Sequence, residues 1–201
     1  ARMLAYVFWH WPRPGVASDV YEERQQAFHQ ALAARGPASL EASYIWRVTG
    51  APWTPNAVAY EDWYLLESSA GLDALNAAAV SDSLREAHDA AAGLAAGGFA
   101  ALYTPSGPRV GLEPSLAGSL AQWFAKPEAM RYGTLYQRLG PKLESVWTRM
   151  MTLGPTPEFL LLGDDSHALP SEWRAQLTRR ERIWPPNVTP DGALADAIRE
   201  E

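Results

Sequence analysis

His10, Arg47 and a group of aromatic residues are the side chains in this chain whose types and spacing could do chemistry. Imidazole exchanges a proton near neutral pH. A guanidinium can fix a carboxylate or an enolate-like oxygen. Tyrosines, here Tyr6, Tyr60 and Tyr64, can orient a phenol. Together they suit proton transfer or oxygen chemistry on an aromatic ligand. His10 and Arg47 are therefore the candidate catalytic residues, and Tyr6, Trp46, Trp63 and Tyr64 the candidate ligand-binding wall. A mainly aromatic wall with a few polar groups is the usual make-up of a small-molecule site. Tyr6 and His10 share strand parity and are separated by roughly 13 Å, the length of a bicyclic ligand. Alternation puts Trp46 on the face opposite Arg47, so the two share a pocket only across a bulge or a strand end. The competing structural reading makes His10 a half-buried strand-end residue and pairs Arg47 with Glu61 or Asp62 across a hairpin.

Other chemistries find little support. There is no cysteine, which removes disulfides, thiolate metal sites and thiol nucleophiles. The four histidines, His10, His29, His88 and His167, form no spaced pair with each other or with a carboxylate that would align two metal ligands on one element. A single histidine can hold haem, and His167 is the one candidate for that. No Gly-x-Ser-x-Gly and no Gly-x-x-x-x-Gly-Lys occurs, so a serine nucleophile and a phosphate loop have no motif. Asp164-Asp165-Ser166 reads as a helix-capping turn. No metal and no cofactor is expected.

Composition bounds the rest. The 201 residues are 47% hydrophobic, 20% charged and 11% aromatic, ample for a core and wrong for a disordered chain. A net charge of −6 argues against nucleic-acid binding. No apolar run reaches the roughly 20 residues that cross a bilayer. The opening residues carry no leader pattern, so no membrane partner and a cytoplasmic location are expected. Of 17 basic residues only Lys126 and Lys142 are lysine, a bias of composition more than a design for anions. The nine tryptophans call for heavily packed sheet faces or an aromatic pocket.

The elements that must position the candidate residues come in a definite order. Residues 3–11 read as a strand closed by Pro12-Arg13-Pro14-Gly15. A helix follows from Ser18 or Asp19 to Arg35, with Val20, Ala27, Phe28, Leu32 and Ala33 as its apolar stripe, ended by Gly36-Pro37. Strands follow at 41–49 and 57–67. Helical segments come next, the longer running from 81 to 95 and ended by Gly97-Gly98, then a short strand at 99–104. This is β-α-β-β-α-β.

The pattern then repeats. Residues 120–125 end in Lys126-Pro127, as the first strand ended in Trp11-Pro12. A helix over 128–139 is closed by Gly140-Pro141, as the first was by Gly36-Pro37. Strands are expected from Leu143 to Thr152 and over 157–162, a helix start at Ser171, and a last strand at 182–184. A period of about 110 residues marks a duplicated domain and not a solenoid. One such unit is an antiparallel sheet with helices on one face. Its first strand is apolar on both parities, with Ala5, Val7 and Trp9 on one side and Leu4, Tyr6 and Phe8 on the other, so both faces want cover.

These repeated features, over roughly residues 3–184, resemble the dimeric α+β barrel superfamily in its tandem, single-chain form. The resemblance implies two ferredoxin-like βαββαβ units packed sheet to sheet as an α+β barrel, an α+β fold. The units would span 1–104 and a shortened 119–184, joined by 105–118 and followed by a tail at 185–201. The superfamily holds cofactor-free monooxygenases, muconolactone isomerase-like, EthD-like and NIPSNAP-like proteins, and the haem enzymes chlorite dismutase and dye-decolourising peroxidase. No motif here selects a branch, and a fold alone does not assign a function. The resemblance implies a small aromatic or polyketide-like ligand held between sheet and helices, in a cofactor-independent oxygenase or isomerase. The alternative is a non-catalytic ligand-binding or stress-related barrel, with a haem enzyme third. The first half is richer in aromatic and polar residues and is the better place for the site. Fusion makes an obligate dimer unnecessary and leaves a homodimer open.

Overall fold

A computed structural model of the chain describes residues 3–106, 116, 118–152 and 154–186. The first unit runs β1 (Leu4–Pro12), α1 (Ser18–Arg35), β2 (Leu40–Thr49), β3 (Val58–Leu66), α2 (Ala70–Ala79), α3 (Arg85–Ala92) and β4 (Ala95–Pro105). The second runs β5 (Leu120–Phe124), α4 (Tyr132–Leu139), a 3-10 segment (Gly140–Ser145), β6 (Val146–Thr152), β7 (Phe159–Gly163), a 3-10 turn (Ser171–Trp173) and β8 (Gln176–Trp184). The eight strands close into one barrel in the order β1-β3-β2-β8-β5-β7-β6-β4. Every ladder is antiparallel. Each unit keeps the ferredoxin-like order, β4-β1-β3-β2 and β8-β5-β7-β6, and the units join at β2–β8 and β4–β6. The joint expected near 105–118 falls largely on residues 107–115 and 117, outside the described set, as does the tail from 187 onward.

Alternation along each strand sorts side chains between the barrel interior and the helix-covered outside. Ala5, Val7 and Trp9 of β1, Trp46 and Val48 of β2, and Trp63 and Leu65 of β3 point inward. They pack with Tyr103 of β4, Trp123 of β5, Trp147 of β6 and Leu160 of β7 in one core. Five of the tryptophans are thus barrel filling, meeting edge to face, as Trp9 does with Trp123 at 5.6 Å and Trp63 with Trp147 at 5.1 Å. A buried ion pair sits among them. Glu61 accepts the indole N–H of Trp9 at 2.9 Å and of Trp63 at 2.6 Å, and lies 3.2 Å from Nε of Arg180. The Arg180 guanidinium stacks 3.9 Å above Trp46. Burial raises the Glu61 carboxyl, against which Arg180 and the two indoles act. Burial lowers Arg180 to about 10, with Glu61 opposing.

The outer faces carry the helices. Phe28 and Leu32 of α1, Leu75 of α2 and Ala91 of α3 cover Tyr64 and Leu66 in the first unit. Leu135 and Leu139 of α4 cover Phe124, Phe159 and Leu161 in the second. None of the described helices is long and apolar enough to cross a membrane.

Four local expectations change. Gly97 and Gly98 do not end a helix but lie inside β4. A Cβ on Gly98 would stand 2.7 Å from the Trp9 carbonyl and against the Phe8 ring, so glycine there serves close strand approach. The helix expected at Ser171 is one 3-10 turn, whose Trp173 stacks on Phe124 at 5.4 Å. Arg174 then adopts a left-handed conformation, φ 48°, and β8 begins at Gln176. That last strand is far longer than 182–184, because Thr178 and Arg180 alternate inward from an otherwise charged segment. Finally, the buried stripe of α1 is Tyr21, Gln25, Phe28, His29 and Leu32, while Val20 is 45% exposed. Gln25 and His29 hold buried places on that stripe through hydrogen bonds, to the Ala91 carbonyl at 3.3 Å and to Asp62 at 3.2 Å.

Candidate functional site

The outward face of the first sheet presents Tyr6, Phe8 and His10 from β1 and Tyr60, Asp62 and Tyr64 from β3, paired across the ladder as Tyr6–Tyr64, Phe8–Asp62 and His10–Tyr60. Over them lie α1, α2 and α3, leaving a cavity of about 200 Å³. Its sheet side is Tyr6, Phe8, His10, Asp62 and Tyr64, and its helix side includes Gln25, Phe28, Leu75, Asn76, His88 and Ala91.

Asp62 organises the floor. Oδ1 lies 3.0 Å from Nε2 of His10, and Oδ2 lies 3.2 Å from Nε2 of His29. The Tyr64 hydroxyl donates to Oδ2 at 3.0 Å. All three residues are buried, His29 completely. Burial by itself would raise the Asp62 carboxyl, but His10 and His29 outweigh it and hold the group well below the usual carboxylate range. Asp62 is thus an anion that only accepts hydrogen bonds. The second nitrogen of each imidazole is also engaged: Nδ1 of His10 with the Tyr21 hydroxyl at 2.6 Å, and Nδ1 of His29 with the Ser43 hydroxyl at 2.9 Å. An acceptor-only carboxylate favours N–H on the Nε2 of His29, which leaves Ser43 donating to its Nδ1, while the Tyr21 hydroxyl can serve the Nδ1 of His10 as donor or as acceptor. Burial, and then the Asp62 charge, raise the phenols of Tyr6, Tyr21 and Tyr64, so all three stay protonated donors.

One contact on this floor is incomplete. The His10 Nε2–Asp62 Oδ1 approach is short but lies off the hydrogen-bonding direction, and neither atom completes an aligned bond among the described residues. Both belong to residues that line the cavity. Buried polar atoms left this way carry a cost that a ligand hydroxyl or a water removes. The His10 ring is held in place meanwhile, stacked near Phe8 at 5.5 Å and Tyr60 at 5.7 Å.

Of the residues singled out by sequence, His10, Tyr6 and Tyr64 come together on this cavity. Trp46 and Trp63 do not, because strand alternation turns them into the barrel interior on the other side of the sheet. Arg47 shares the sheet face of His10 but is not among the lining residues of the cavity. It pairs with neither Glu61 nor Asp62. Its guanidinium donates to Glu22 of α1 at 2.5 and 2.8 Å and to Glu181 of β8 at 2.5 Å. These bonds, Glu22 first, raise its already high pKa. The Tyr60 hydroxyl donates to the same Glu22 oxygen at 2.8 Å, and burial followed by that bond pushes the phenol up to about 12. Arg47 therefore braces α1 against the sheet behind Tyr60. The residues that sequence reasoning missed are Asp62, His29 and Tyr21. The signal for Asp62 was a lone carboxylate on the helix-facing parity of a strand otherwise apolar on that face.

Elsewhere, His167 is tied into a turn, its N–H donating to Gln122 at 2.6 Å and its carbonyl accepting from Gln122 at 3.0 Å. Asp164 accepts the Ser119 N–H at 3.2 Å. Among the described residues no group of three or more histidines and carboxylates is arranged to hold a metal ion.

No known family's sequence profile matches the chain, and no curated protein sequence does. Solved structures do. The chlorite dismutase-like protein TA0507 matches over 90% of this chain and 95% of its own, at 13% identity and a TM-score of 0.51. An anthrone oxidase-like protein covers 90% of this chain and 92% of its own, at 8% identity and a TM-score of 0.46. A dimeric ferredoxin-like protein from Thermobifida fusca covers 51% of this chain and 91% of its own, at 14% identity and a TM-score of 0.38. At these identities the likeness is one of fold.

Proposed function

We propose that this chain, which has the fold of a tandem ferredoxin-like α+β barrel, binds a small hydroxylated aromatic molecule in the cavity over the first sheet, and that the cavity floor moves the hydroxyl proton. This is the opening step of cofactor-independent oxygenase or isomerase chemistry. The observation that carries the reading is the buried Asp62 anion beside His10, with Oδ1 and Nε2 both short of an aligned partner at the cavity wall. A ligand hydroxyl there would donate to Asp62 and lie within reach of His10, whose second nitrogen is already held by Tyr21. With its Nδ1–H turned to the Tyr21 oxygen, His10 keeps Nε2 open to take that proton from the hydroxyl, and the Asp62 anion offsets the imidazolium that forms. The volume suits one or two fused rings, and the apolar wall of Phe8, Phe28 and Leu75 suits their faces.

The test is exchange at carbon 1 of 2-naphthol in heavy water, followed by proton NMR. Removing the hydroxyl proton places negative charge on that carbon, which takes a deuteron and then gives up its original proton to restore the ring. The expected result is faster loss of the carbon-1 signal with the protein, abolished in His10→Gln. Binding of 2-naphthol without exchange would assign the non-catalytic ligand-binding barrel instead. Absence of binding would overturn both.

A further inference from the structure

The cavity has a second polar end. Its floor is the Asp62 network on the sheet, and on the helix side it reaches His88 of α3 and Asn76 of α2. Asn76 is exposed, and the His88 side chain is 33% exposed, so these two mark where the cavity meets solvent. Between the ends the wall is apolar, with Phe8, Phe28, Leu75 and Ala91. His88 is held in two ways. Its Nδ1 lies 2.9 Å from Asp89 Oδ1, and its ring meets Phe28 edge to face at 5.5 Å. A carboxylate at Nδ1 accepts the N–H of that nitrogen and so fixes the ring's orientation. Nε2 is then the nitrogen left to meet a ligand, as a donor when the ring is protonated. The Asn76 amide offers a second donor at the same mouth.

We propose that His88, assisted by Asn76, reads an acceptor oxygen, carboxylate or carbonyl, at the end of the ligand opposite the hydroxyl held by Asp62. The ligand class is then a flat aromatic with a hydroxyl at one end and an acidic or carbonyl group at the other. Buried and half-buried polar groups at two ends of an apolar slot set orientation as well as affinity. This inference rests on the reading of the Asp62 floor given above, and the experiment separates the two.

Calorimetric titration with three probes tests it: 2-naphthol, 6-methyl-2-naphthol and 6-hydroxy-2-naphthoate. All carry the floor hydroxyl, the methyl compound fills the mouth without an acceptor, and only the last presents a carboxylate there. The protein is expected to bind the naphthoate about tenfold tighter or more than the methyl compound. His88→Phe is expected to erase that preference while leaving the methyl compound within about twofold of its original affinity. His88→Gln, which keeps a donor, is expected to retain part of the preference. Equal affinities in the unaltered protein, or a preference that survives in His88→Phe, overturn the proposal while leaving the Asp62 reading standing. Failure of all three probes to bind overturns both.

Discussion

Replacing Arg180 with methionine would strand Glu61 inside the barrel. The Arg180 side chain is fully buried, and its Nε is 3.2 Å from the Glu61 carboxylate. The Trp9 and Trp63 indoles remain as donors but carry no charge. Removing one partner of a buried pair is costly because the other charge is left uncompensated. Here the cost has a ceiling, since Glu61 can escape by taking up a proton. At pH 7 that costs about 1.36 kcal/mol per pH unit over the ~2.7 units above a reference value of about 4.3, or about 3.7 kcal/mol. For a chain of this size the loss corresponds to a melting-temperature fall of roughly 7–15 °C. The sign of the pH dependence follows. The folded-state carboxyl of the variant lies above its unfolded value, so between the two the folded protein holds the extra proton and gains stability as the pH falls. Going from pH 7 to pH 5 should return up to about 2.7 kcal/mol relative to the parent. Glu61→Gln added to Arg180→Met should make the double variant more stable at pH 7 than Arg180→Met alone. Circular dichroism melts at both pH values measure this. A variant that melts within about 2 °C of the parent at pH 7, or one whose deficit is unchanged at pH 5, would refute the reasoning.

Three other outcomes are expected. Gly98→Ala should lose about 1–3 kcal/mol in denaturant unfolding, because the added methyl meets the Phe8 ring and stands 2.7 Å from the Trp9 carbonyl. Ala91→Leu, which projects into the 200 Å³ cavity from α3, should weaken 2-naphthol binding by about tenfold or more, with the melting temperature held within about 3 °C. Asp62→Asn should cost about 3 kcal/mol at neutral pH by leaving two imidazoles short of their anion. Because the folded Asp62 carboxyl is depressed, its contribution is present above the unfolded value of about 3.9 and lost as the pH falls toward the folded one. Melting temperature against pH should therefore fall less steeply below about pH 4 in that variant than in the parent.

The fold was legible because two periodicities wrote it twice. Strands apolar on both parities and matched Gly-Pro breaks announced a duplicated sheet with both faces covered. What stayed hidden was wherever a polar residue held a buried place. Strand β8 was missed over most of its length, because Arg179, Arg180 and Glu181 look solvent-facing until Arg180 is seen paired with Glu61 inside the barrel. The stripe of α1 was misplaced for the same reason, since Gln25 and His29 are buried by hydrogen bonds to Ala91 and Asp62. At the site, strand parity brought Tyr6, His10 and Tyr64 together, and the same parity excluded Trp46 and Trp63. Arg47 was placed on the correct sheet face, but no spacing rule could foretell Glu22 reaching across from α1 to claim it.

The most direct measurement compares 2-naphthol with 2-methylnaphthalene, two molecules of one shape that differ only in a hydroxyl. A hydrogen bond to a buried charged group contributes about 1.5–3 kcal/mol. Calorimetric titration should accordingly find 2-naphthol bound about tenfold or more tighter. In Asp62→Asn, checked as folded by circular dichroism, that preference should shrink to near unity. Equal affinity for the two molecules in the unaltered protein, or a preference for 2-naphthol that persists undiminished in Asp62→Asn, would contradict the assignment of the Asp62–His10 floor as the place where the ligand is held.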